Sequence, residues 1–282
     1  MVKDKHVIEA LGKAEVIIEN GEITSVSEPV IDYCPIFGKY HNIKQITRED
    51  IRKNIQYRID DFGMCTKDRI LKMDDMLSVG ISEILRSNVE IGNIDCVVGA
   101  CDGAGTVLMT DPDIVQGVGG RVSGLVSTTP IPEIIEGLGS ENVLNPETAE
   151  LNQIKGLKMA VERGFKNIAV TVIPSVIVHE IREYEVPDDV NVYIFVAHTT
   201  GTTRQEAESI FEDADIITGC ASKAILDVAQ SKKPYYYGES VPIFAVTESG
   251  RKFLDDRLRH VNKSLSVNEY PLDLDKKPKP LI

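Results

Sequence analysis

The sequence predicts an α/β fold, a mostly parallel open sheet opened by an N-terminal β-hairpin and organised as one unit or two subdomains. Three observations carry this expectation. From Leu151 onward, short apolar runs alternate with helical stretches at a spacing that implies parallel pairing through right-handed crossovers. Asn20-Gly21 sits between two alternating runs, and both central positions of a type I′ turn require positive φ. The 282 residues, 42% hydrophobic and 27% charged, are enough to bury a core without disulfide staples.

The hairpin spans Ala14 to Val30, with Glu15–Glu19 and Ile23–Val26 as its strands. Ile31-Asp32-Tyr33 leads to Cys34-Pro35, and Thr47 with Asp50 three residues later caps a helix running to about Asp60. The loop Asp61–Thr66, a short helix and a longer one from about Asp74 to Val89 follow. Asp95–Gly99 reads as a buried strand that ends at Ala100-Cys101-Asp102-Gly103-Ala104-Gly105. A glycine-rich stretch, Val107–Gly124, and a helix from Pro132 to Gly137 close the first subdomain, residues 1–150. The second, 151–270, alternates helices 154–163, 176–184, 204–211 and 221–229 with strands 167–172, 191–197, 215–218 and 241–246. The helix Glu248–His260 ends it, and residues 271–282 read as a mobile tail.

Lys and Arg number 31 against 44 Asp and Glu, a net charge of −13 that repels nucleic acid and anionic lipid. No apolar window is long enough for a membrane span and Met1–Glu9 is charged, so the chain is expected in the cytoplasm. With Trp absent and aromatics at 6%, a platform for stacking bases has little to be built from. The five cysteines are not a disulfide framework in a reducing compartment, and act as core thiols, reactive thiols or metal ligands.

Cys96, inside an apolar strand, reads as core. Cys34, Cys65, Cys101 and Cys220 all lie in turn-forming surroundings, where an α/β scaffold displays functional groups. Four thiolates brought together would hold a [4Fe-4S] cluster, or zinc as the alternative. Without a metal, Cys220 ahead of the helix at 221–229 is a candidate nucleophile, with Lys223 adding positive charge and His198 at the neighbouring strand end as its base. Gly103, Gly105 and Arg121, beside Asp102, offer backbone amides and a guanidinium to a small anion. Thr199 and Thr200, ahead of a helix capped by Thr202 or Thr203, form a second candidate cradle, and Glu206–Asp215 reads as a solvated acidic face.

The segments CPIF (34–37), DFGMCT (61–66), CDGAGTV (101–107), TDP with QGVGGRVSGL (110–125), TTPIPE (128–133), AHTTG (197–201) and CASKAI (220–225) occur in one order. In that order and wording the chain resembles methanogenesis marker protein 8, a family of methane-producing archaea, over almost its whole length. The resemblance implies an anaerobic archaeal cytoplasm and a role connected with methanogenesis, with an iron-sulfur cluster as the expected occupant of the thiols. It implies no particular reaction. The expectation is a metal-binding redox or cofactor-maturation accessory working with a methanogenesis enzyme or maturation complex. The alternatives are a cysteine-dependent enzyme acting on a small anionic metabolite and a non-catalytic assembly partner.

Overall fold

In a computed structural model that describes residues 4–120, 124–265 and 269–282, the chain opens with β1 (Lys5–Glu9), β2 (Glu15–Glu19) and β3 (Glu22–Val26). Asn20 and Gly21 take φ of 51° and 75°, the positive pair expected for the turn between β2 and β3. Val16 and Ile18 of β2 point inward, with Glu15 exposed. Next come α1 (Pro35–His41) and α2 (Arg48–Phe62). The α2 N-terminus carries the full capping box: Thr47 Oγ1 accepts from the Asp50 amide and the Asp50 carboxylate accepts from the Thr47 amide. Ile51 and Ile55, four residues apart, bury one face of α2 against the strands.

The middle of the chain contributes α3 (Ile81–Glu90), β4 (Cys96–Cys101), β5 (Gly105–Met109), α4 (Pro112–Gly119), β6 (Gly124–Ser127) and α5 (Pro132–Leu138). The helix expected from Asp74 begins seven residues later. The segment before it is held in irregular form by Arg257, which donates to the Ser78 and Leu77 carbonyls and to the Asp75 carboxylate. The remainder alternates as expected through α6 (Gln153–Glu162), β7 (Asn167–Val172), α7 (Ile177–Arg182), β8 (Asn191–Val196), α8 (Arg204–Asp213), β9 (Ile216–Thr218) and α9 (Lys223–Lys232). It ends with β10 (Tyr235–Tyr237), β11 (Ile243–Ala245) and α10 (Glu248–His260).

Two sheets result. A four-stranded antiparallel sheet has the order β3-β2-β1-β6, so the expected hairpin is the outer half of a larger unit that also takes in β6. A seven-stranded sheet has the order β10-β11-β9-β8-β7-β4-β5. Only β4, β7, β8 and β9 run parallel; β5 at one edge and β11 and β10 at the other are antiparallel, so the sheet is mixed rather than mostly parallel along its width. The reason is chain length between strands. Three residues, Asp102-Gly103-Ala104, separate β4 from β5, whereas a parallel partner needs a crossover of a dozen or more. Gly103 and Gly105 serve that tight reversal, with φ of 82° and 77°; a Cβ on Gly105 would lie 2.3 Å from the Ala149 carbonyl oxygen.

Alternate residues of the central strands enter two apolar layers. Val98, Val170, Ile194 and Ile217 face α6 to α9, and Val97, Ala169, Phe195 and Ile216 face α3, α4 and α10. Strand β4 pairs with β7 from Cys96↔Ile168 to Val98↔Val170, so this sheet crosses the boundary expected near residue 150. The tail 271–282 packs back on the body: Leu272 and Lys277 are buried, Lys279 bridges to Tyr33, and the Ile282 amide donates to the Ala221 carbonyl. Among the described residues no helix is long and apolar enough to cross a membrane.

Candidate functional site

A cleft of about 250 Å³ opens where the small sheet meets the carboxyl ends of β7 and β8. Its lining comes from Glu9 at the end of β1, Lys13 in the turn after it, Gly124–Val126 of β6, Ile173-Pro174 after β7, and His198 and Thr200–Thr202 after β8, with Glu206 from the first turn of α8. Crevices at the carboxyl ends of strands are where open α/β sheets place their ligands.

His198 is the residue of the cleft that the sequence singles out. It stands two residues past the end of β8 in a left-handed conformation, φ 56°, which turns the chain off the sheet. The imidazole keeps part of its surface in the cleft and, among the described residues, has no hydrogen-bond partner. Burial, reinforced by the positive charge of Arg58, pushes its pKa down to about 4, so the ring is neutral at pH 7. Lys13, also left-handed at φ 61°, reaches across to donate from Nζ to the Thr200 carbonyl oxygen. Burial raises the Glu9 carboxyl above its usual range, against the opposing pull of Lys13. Glu206 is held low because its carboxylate accepts from the Thr203 hydroxyl and amide. Titratable groups displaced in opposite directions around one cleft are a common mark of a functional site.

The threonine run is largely committed to structure. Thr199 is fully buried and donates to the Thr218 carbonyl at 2.7 Å; Thr202 donates to the Thr199 carbonyl at 2.5 Å; Thr203 forms the capping box of α8 with Glu206. The carboxylate of Glu206 therefore already occupies the helix N-terminus that an anion would use. Thr200 is the exception. Its hydroxyl accepts from the Ala221 amide at 3.2 Å and lines the cleft.

The thiols sort into two pairs. Cys34 is the N-cap residue of α1; burial raises its thiol, the amides of Phe37 and Ile36 partly offset this, and the nearby Cys220 adds a smaller upward push. Cys220, φ 40°, shares a 3.3 Å contact with the Thr218 hydroxyl and makes no hydrogen bond to His198. Its helix begins at Lys223 behind the cap Ser222 rather than at 221, and Lys223 pairs with Asp227. Cys65 and Cys101 are buried beside Asp102. That carboxylate accepts from the Cys65 amide at 2.6 Å and from Arg69 Nε at 3.1 Å, an ion pair with both partners fully buried. Burial first and the Asp102 charge second push both thiols well above their ordinary value. Cys96 is core, raised to about 12 by burial.

Among the described residues no three His, Cys, Asp or Glu side chains converge closely enough to hold a metal ion. Of the four thiols expected to hold a [4Fe-4S] cluster or zinc, Cys34 interacts with Cys220 and Cys65 with Cys101. Asp102 serves the buried ion pair, Gly103 and Gly105 serve the β4–β5 turn, and none of the three lines the cleft. Arg121 lies outside the described residues. Sequence reasoning missed Glu9 and Lys13. The only local hint was a lysine following Gly12 between two strands, an ordinary turn pattern, and Glu206 registered solely as part of an acidic surface.

The family model described as "Uncharacterized protein conserved in archaea (DUF2099)" matches residues 6–259. An uncharacterized protein of Methanocaldococcus jannaschii is 41% identical over 283 residues, covering 99% of this chain and 100% of the relative.

Proposed function

The chain belongs to the DUF2099 family of proteins conserved in archaea, and from that premise we propose that it binds a small anionic metabolite in the cleft between its two sheets and performs acid–base chemistry on it through His198. One observation carries the reading: a neutral imidazole without a protein hydrogen-bond partner among the described residues, facing a cleft that also presents Lys13 and the Thr200 hydroxyl. A neutral ring accepts a proton or donates a hydrogen bond at physiological pH, and Lys13 supplies the positive charge that draws an anion to it. The motif resemblance to methanogenesis marker protein 8 supports assigning that chemistry to methanogenesis.

The test is a titration of protein carrying ¹⁵N-labelled histidine with succinate, citrate and inorganic phosphate. At least one of these is expected to shift the His198 ring resonances in a saturable way, and Lys13→Met is expected to weaken that binding at least tenfold. The reading is wrong if none of the three probes perturbs His198 at millimolar concentration, or if Lys13→Met binds as well as the wild type.

A further inference from the structure

The cleft lining combines polar side chains with exposed aliphatic ones. Val126 of β6 is 58% exposed, Ile173 after β7 is 52% exposed, and Val176 three residues on is 75% exposed. Val126 and Ile173 line the cleft from separate segments, joined by Leu125 and Pro174. Single exposed aliphatic residues are ordinary, but branched side chains from two segments lining one cleft leave an apolar collar in water beside its polar groups.

The polar part of the lining sets the donors of Lys13 and Thr200 beside the carboxylates of Glu9 and Glu206. Lys13 Nζ spends one of its three hydrogens on the Thr200 carbonyl and keeps two. The Thr200 hydroxyl accepts from the Ala221 amide and retains its own proton to give. The Glu206 carboxylate accepts from the Thr203 hydroxyl and amide, and burial raises the Glu9 carboxyl while the charge of Lys13 opposes that shift. The volume of about 250 Å³ falls below the roughly 300–1,000 Å³ of sites for drug-sized ligands, which limits the enclosed part to a short group.

We propose that the ligand is an amphiphilic carboxylate, its acid group held by Lys13, Thr200 and His198 and its short aliphatic chain laid across Val126 and Ile173. This deepens the reading of the cleft as an anion site and rests on it. The chain replaces water over the collar, while the acid group meets the donors that a purely apolar ligand would leave unpaired.

The experiment compares acetate, butyrate, hexanoate and octanoate by calorimetry and by the His198 resonances, on the whole chain at constant ionic strength. Affinity is expected to rise about two- to fourfold per methylene until the chain passes the collar. In the Val126→Ser, Ile173→Ser double variant the octanoate-to-acetate affinity ratio is expected to collapse toward one, with its circular dichroism matching the wild type. Carboxylate binding that does not depend on chain length overturns the amphiphile and leaves the anion site standing. Absence of binding by all four acids, with succinate, citrate and phosphate also inactive, removes the site itself. A wild-type dimer in sedimentation that the double variant dissociates shows the collar covered by a second copy of the chain, and also overturns the proposal.

Discussion

Replacing His198 with Asn removes one titrating group from the cleft while keeping a polar side chain of similar reach, and the folded protein should then respond differently to acid. The imidazole has an ordinary pKa of 6.5 and is pushed to about 4 in the fold, burial first and Arg58 second. A depressed histidine pKa means that the unfolded chain binds the proton more readily than the folded one. Its contribution to stability is therefore complete above pH 6.5 and is lost as pH falls from 6.5 toward 4. At 1.36 kcal/mol per tenfold, the full displacement corresponds to about 3 kcal/mol; partial contact with solvent in the cleft reduces the expected figure to about 2 kcal/mol. Because the chain has no Trp, urea unfolding is followed by circular dichroism, at half-unit steps from pH 4.5 to 7.5. Carboxylates shared by the two proteins cancel to first order in the difference. Wild type minus His198→Asn should fall by about 2 kcal/mol from the upper to the lower pH. A difference that stays flat within about 0.5 kcal/mol, or a ring that titrates near 6.5 by NMR, would refute the assignment of His198 as a desolvated neutral imidazole.

The other predictions concern the thiols and the buried ion pair. Asp102→Ala strands the fully buried Arg69 and the Cys65 amide, and should cost about 3–5 kcal/mol in urea unfolding; a loss below about 1 kcal/mol would mean that water reaches the pair. Native alkylation at pH 8 should modify Cys34 and Cys220, the two partly exposed thiols, and spare Cys65, Cys96 and Cys101, giving two adducts by intact mass and five in denaturant. Cys220→Gly should be about 1 kcal/mol more stable than Cys220→Ala, because only the former relieves φ 40°; equal melting points would show that the backbone there relaxes without cost.

What could be read in advance was local. The turn at Asn20-Gly21 and the caps at Thr47 and Thr203 are written in residues within three or four positions of one another, and each formed as expected. The tight turn at DGAG is the better reading of its glycines, but strand β5 behind it is not legible in a glycine-rich stretch; the reason for Gly105 lies in Ala149, whose carbonyl crowds it from more than forty residues away. Strand β10 was missed because Tyr235-Tyr236-Tyr237 is too short to show alternation and pairs only with β11. For the cleft, the sequence marked His198 and Thr200 and no other lining residue that acts on them. Glu9 and Lys13 belong to a different sheet, and their approach to β8 depends on how that sheet docks, which no spacing records. The thiols show the same limit: four turn positions were legible, and their division into a partly exposed pair and a buried pair was not.

Backbone conformation supplies an independent reason to place function at this cleft. Nine residues other than glycine have positive φ among those described, and Asn20, Asn42 and Asn262 carry a side chain that tolerates it, while Lys233 is a helix C-cap. Five remain, Lys13, Cys65, Ala149, His198 and Cys220, and of these histidine is itself a residue type enriched in the left-handed region. Lys13 and His198 line the cleft, and Cys220 precedes the residue whose amide binds Thr200 in its wall. Left-handed geometry costs a side-chain-bearing residue about 1–2 kcal/mol, and glycine at any of these positions would remove the cost. At a turn serving only to reverse the chain, glycine satisfies the geometry with less strain, as it does at Gly103 and Gly105. A lysine and an imidazole held left-handed in the lining of one crevice are better explained by what their side chains do there than by the path of the chain.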